Sequence, residues 1–119
     1  MILYLISAAL KYKFPDVQNV STDKLNYLIS EGQVKDEKLV IVDTRKEEEF
    51  NVSFIPGAKH LEFPSSDIKI KQFLDENIKE KTENIVCYCS VGYRSSVTAQ
   101  KMTNYLQSYL KLRFTNSAK

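Results

Sequence analysis

Apolar runs alternate along this chain with stretches in which apolar residues recur every three or four positions, and the two periods separate strands from helices. Val17 to Val20 reads as a short strand, after which Ser21 is placed to act as a helix N-cap. Leu25, Leu28 and Ile29 fall at helical spacing, and Gly32 suits the left-handed residue that ends such a helix. Leu39 to Val42 is continuously apolar and largely β-branched, the pattern of a strand covered on both faces. Lys46 to Asn51 predicts a short charged helical turn, and Pro56-Gly57 a bend before a brief strand from Ala58 to Leu61. Pro64-Ser65-Ser66-Asp67 opens a helix whose Ile70, Phe73, Leu74 and Ile78 share a face. Ile85 to Tyr88 reads as a second buried strand. A long helix from Ser95 then carries Met102, Tyr105, Leu106, Tyr109 and Leu110 as a core stripe.

The opening Met1 to Leu10 is apolar, but it lacks a basic flank and is about half the roughly 20 residues needed to span a bilayer, so it predicts a structural helix packed on the domain. Lys13-Phe14-Pro15 closes it. The expected organisation is an apolar segment over 1–14 and a single domain over 15–119, with no internal repeat or linker. Strands alternating with helices argue an α/β fold with a mainly parallel sheet, which binds ligands beyond the carboxyl ends of its strands. Asp43 and Cys89 both fall at such ends, so two segments distant in sequence are expected to meet in one crevice.

Composition narrows the function. At 119 residues the chain is large enough for one core and too short for a second catalytic domain. Its net charge of +2 comes from interspersed acidic and basic residues with no arginine cluster, which argues against nucleic acid as a partner. Cys87 and Cys89, one residue apart on one extended strand, are poorly placed for a disulfide and are read as reduced thiols in a reducing, cytoplasmic compartment. Two sulfurs and one remote histidine, His60, do not make a zinc set, so neither metal nor cofactor is expected.

The chemistry concentrates at Cys89-Ser90-Val91-Gly92-Tyr93-Arg94-Ser95. Gly92 allows a turn tight enough for backbone amides to point inward, and the helix that follows adds unpaired N–H groups and the positive end of its dipole. Both favour a thiolate on Cys89 and a bound anion, and Arg94 adds a permanent charge. Cys89 is therefore the candidate nucleophile, with Ser90, Val91, Gly92, Tyr93, Arg94 and Ser95 around the substrate. Ser95 and Ser96 can each either cap the helix or donate to the anion, and Tyr93 faces the loop mouth. Cys87 reads as a core side chain. His60 reads as a partly exposed residue at a strand edge, remote from Cys89.

This loop resembles that of the single-domain rhodaneses, sulfurtransferases with a persulfide-forming cysteine at its head. Leu39-Val40-Ile41-Val42-Asp43-Thr44-Arg45 is similar to the family's strand ending in Asp-x-Arg, and Glu49-Phe50 followed by Ile55-Pro56-Gly57-Ala58 is similar to its second signature. Together the motifs cover roughly residues 15 to 112. The resemblance implies a three-layer α/β fold with a mainly parallel central sheet flanked by helices. It also implies transfer of a sulfane sulfur from thiosulfate or a related small anion to cyanide, a small thiol or a protein thiol. Asp43 and Arg45 are then mainly supporting residues, with Glu49 a partner for Arg45.

Two departures stand out. Ser53-Phe54 replaces the Gly-His that commonly precedes Ile-Pro-Gly-Ala, and little chain follows the last helix where relatives continue into another strand. A domain shortened in this way either exposes a sheet edge, with dimerisation as a consequence, or has the gap covered by Met1 to Leu10; otherwise a monomer is expected. Three functional alternatives stay open: a weakly catalytic or binding module, a redox sensor at Cys89, and a cysteine phosphatase. The last is disfavoured because phosphatases on this architecture place five residues before their arginine, whereas Ser90, Val91, Gly92 and Tyr93 are four.

Overall fold

In the computed structural model a five-stranded sheet is sandwiched between helices. The structure describes residues 2–7, 17–90 and 92–117, and within them the side chains of 3–6, 17–90 and 92–107. The elements run β1 Ile2–Ser7, β2 Val17–Val20, α1 Thr22–Ser30, β3 Leu39–Asp43, α2 Glu47–Val52, β4 Lys59–His60, α3 Asp67–Asn77, β5 Asn84–Cys89 and α4 Tyr93–Ser117. The strand order is β2-β1-β5-β3-β4.

Each interior strand alternates between two apolar layers. Leu3, Leu5, Leu39, Ile41, Val86 and Tyr88 face α1, where they meet Leu25 and Leu28. Ile6, Val40, Val42, Ile85 and Cys87 face α3 and α4, where they meet Ile70, Phe73, Leu74, Ala99, Met102 and Leu106. Burial on both faces explains why β3 and β5 read as continuous apolar runs. Ser21 caps α1 by accepting the Lys24 N–H at 3.1 Å. The helix ends with Gly32 at φ +78°, its N–H bonded to the Ile29 carbonyl and that of Gln33 to Leu28, a Schellman closure.

The expected α/β architecture is present, and the sheet is mixed. β3 runs parallel to both β4 and β5, whereas β1 is antiparallel to both of its neighbours, β2 and β5. The helix expected over Met1 to Leu10 is therefore a correction: Ile2–Ser7 is a strand, inserted in the sheet rather than packed on it. It occupies the slot between β5 and β2 where the resemblance calls for a C-terminal strand, so the gap is filled and the anticipated open edge there does not exist. No strand follows α4 among the described residues.

Smaller adjustments concern element ends. β4 is limited to two residues, β5 extends through Cys89, and α4 begins at Tyr93, two residues before Ser95. Among the described residues no helix is long and apolar enough to cross a membrane. Val91, Lys13-Phe14-Pro15 with the boundary at 14/15, and the side chains of Tyr109 and Leu110 lie outside the described residues.

Candidate active site

The site forms where β3 and β5 end together. Their parallel register pairs Asp43 with Tyr88, and the ladder closes one step on, where the Thr44 N–H and hydroxyl both donate to the Tyr88 carbonyl at 3.1 and 3.0 Å. Cys89 follows as the last residue of β5, directed by strand alternation to the α3/α4 side.

Gly92 then turns the chain at φ +86°, a conformation that costs a residue with a side chain about 1–2 kcal/mol. The turn aims its N–H at the Cys89 Sγ, 3.0 Å away. The Gly92 carbonyl accepts the Ser96 N–H, the first bond of α4, so Gly92 and not Ser95 or Ser96 occupies the capping position. Ser95 instead lies in the first turn, fully buried. Its N–H donates to Sγ at 3.4 Å, and its hydroxyl lies 3.3 Å from Sγ and 3.2 Å from the Gly92 carbonyl. The hydroxyl can therefore accept from a thiol while donating to Gly92, or rotate to donate to a thiolate. Three donor groups converge on one sulfur at a helix N-terminus, which favours its anionic form.

Cys87, two residues back on the same face, has no such surroundings. It is fully buried with its Sγ 3.8 Å from the Met102 Sδ. Burial, reinforced by charge on Cys89, pushes its thiol up to about 12. Neither Cys87 nor Cys89 is in a disulfide. Ser90 and Tyr93 are exposed, and Tyr93 meets Phe63 edge to face, with ring centroids 5.8 Å apart.

The supporting residues pair differently from the sequence expectation. Arg45 grips Asp43, its Nη2 2.8 Å from Oδ2 and its Nε 3.0 Å from Oδ1, and also donates to the Ser53 carbonyl. Glu49, expected to partner Arg45, forms its ion pair with Arg94 at 3.2 Å, while the same Oε2 accepts the Lys46 N–H at 2.9 Å. Those two donors, the amide first, hold Glu49 below the usual carboxylate range. Arg94 is thus tied to α2. Sequence spacing could not reveal this, because the partners lie 45 residues apart. His60 lies on the edge strand β4, with Nε2 2.7 Å from the Arg45 carbonyl and its ring stacked on Phe50.

Asp43 is buried, which raises its pKa, but the Arg45 guanidinium, the Tyr88 hydroxyl and the Arg45 N–H together outweigh that and hold it below the usual range. Tyr88 is a residue that the sequence reading passed over. Its only signal was a lone tyrosine in an aliphatic strand directly before the candidate nucleophile. Among the described residues no group of three or more histidine, cysteine or acidic side chains could hold a metal ion.

A family model described as Rhodanese-like domain matches residues 21–117. No curated protein and no solved structure matches the chain.

Proposed function

The chain belongs to the rhodanese-like domain family, and on that premise we propose that it is a sulfurtransferase working through a persulfide on Cys89. What supports this reading most is the convergence of the Gly92 N–H, the Ser95 N–H and the Ser95 hydroxyl on Sγ at 3.0, 3.4 and 3.3 Å.

In the first half-reaction the Cys89 thiolate attacks the sulfane sulfur of thiosulfate. A new S–S bond forms, the bond to the sulfonate sulfur breaks, and sulfite leaves with its electron pair. The persulfide keeps one negative charge, which the inward N–H groups stabilise. In the second half-reaction cyanide or a thiolate attacks the outer sulfur, and the thiolate of Cys89 is regenerated as the leaving group. No outside oxidant or reductant is needed. Four residues before Arg94 leave a small cradle, suited to a single sulfur rather than a tetrahedral phosphate.

The test is thiocyanate formation from thiosulfate and cyanide, beside hydrolysis of an aryl phosphate. The proposal expects the first, abolished in Cys89→Ser, and no phosphatase activity. Aryl phosphate hydrolysis without sulfur transfer would overturn it. One observation favours a second reading, a domain that carries or senses at Cys89 without rapid turnover: Cys89 has no exposed surface. That reading expects a stable Cys89 adduct with negligible thiocyanate.

A further inference from the structure

We propose that Tyr88 is a positioning residue for Cys89, the joint through which both signature segments hold the end of β5 so that Sγ meets the Gly92 and Ser95 donors. Only the kinetic consequence rests on the sulfurtransfer reading; the geometric consequence stands apart from it.

Tyr88 is 1% exposed and precedes Cys89 directly. Its hydroxyl donates to the Asp43 Oδ2 at 2.7 Å and accepts the Ile55 N–H at 3.2 Å. Its carbonyl takes both Thr44 donors. The Arg45 guanidinium lies 5.6 Å from its ring centroid. One side chain and one peptide group thus bind the Asp43-Thr44-Arg45 segment and the Ile55 turn to the strand that carries the nucleophile.

On the β3 side Tyr88 is the last paired residue of β5, while on the other side Cys89 pairs only with Ile2. Cys89 is therefore the first residue released from the parallel ladder. Where the ladder stops fixes where Sγ points, and hydrogen bonds to sulfur weaken steeply with misalignment. Burial raises the phenol to about 12, so it remains a donor at working pH. The charged groups around the joint are Asp43 and Arg45 beside β3, and Arg94 with Glu49 joining α4 to α2; Cys87 stays neutral.

The test is the pH profile of Cys89 alkylation by iodoacetamide, read by intact mass, for wild type and Tyr88→Phe, with cooperative thermal unfolding checked for each. The expected result is a midpoint shifted to higher pH and an alkylation rate at neutral pH lower by about tenfold, as for a group displaced from its donors by a fraction of an ångström. Superimposable profiles, with a loss of stability alone, would reduce Tyr88 to a structural residue and overturn the proposal. If Tyr88→Phe does not fold, Thr44→Val removes only the hydroxyl contact to the Tyr88 carbonyl. It is expected to shift the profile in the same direction by less, and an unshifted profile overturns the proposal equally. In thiocyanate formation Tyr88→Phe is expected to lower kcat with KM for thiosulfate unchanged. Wild-type protein that forms no thiocyanate would end the sulfurtransfer reading while the alkylation profiles still judge Tyr88.

Discussion

Two thiols on one strand face, two residues apart, differ because of what the backbone aims at them. Cys89 receives N–H groups from Gly92 and Ser95, whereas burial holds Cys87 as a thiol until about pH 12. At about pH 9 Cys87 is therefore still protonated, because burial penalises its charged form. Limited alkylation at that pH is expected to label Cys89 alone; peptide mapping that finds Cys87 labelled first would contradict this. The Asp43–Arg45 pair is supporting, and Asp43→Ala is expected to cost about 3 kcal/mol at neutral pH by leaving a largely buried guanidinium without its carboxylate. Because Asp43 is held below its ordinary value when folded, its contribution is fully present above that value and is lost as pH falls through the lower folded one. Denaturant titrations of wild type and variant are therefore expected to begin converging as pH falls below about 4, and to meet only in stronger acid. At this scale the sequence disclosed the candidate nucleophile Cys89 at its strand end, the turn glycine Gly92 and Asp43 at the end of β3, because each sits in a local motif. It did not disclose that Arg94 takes Glu49 while Arg45 takes Asp43, since choosing between two arginines requires knowing how α2 meets α4.

Among the elements, β1 is a strand where the sequence predicts a helix, and the cause is physical. An apolar run whose one clearly polar residue, Ser7, sets no period fits a buried helix and a strand covered on both faces equally well. Only the vacancy between β5 and β2 decides, and that is a property of the whole sheet. Leu3, Leu5 and Ile6 are buried in β1, each contributing roughly 1.5–3 kcal/mol. Together that is comparable to the total stability of a domain, about 5–15 kcal/mol. Deletion of residues 1–7 is accordingly expected to abolish cooperative thermal unfolding followed by circular dichroism; an unchanged transition would show that β1 is dispensable. The helices were more legible. Ser21, Gly32 and Ser66 mark real ends, with Ser21 and Ser66 accepting the Lys24 and Lys69 N–H groups. α4 started earlier than expected because Gly92 serves as both the turn and the cap.

For the molecule as a whole, the filled slot leaves β2 and β4 as the edges of the sheet, of four and two residues. Edges so short offer little template for pairing with another chain, and sedimentation is expected to find a monomer; a stable dimer would mean another surface is in use. The architecture brings Asp43, Tyr88 and Cys89 to one end of the parallel strands, where such folds build their sites. The central claim is that this arrangement makes Cys89 a sulfur carrier. The most direct measurement is the intact mass of the folded protein before and after brief thiosulfate treatment, beside Cys89→Ser and Cys87→Ser. The account predicts a gain of one sulfur atom that cyanide removes, kept in Cys87→Ser and absent in Cys89→Ser. A folded wild-type protein that gains no sulfur, or gains it equally in Cys89→Ser, would contradict it.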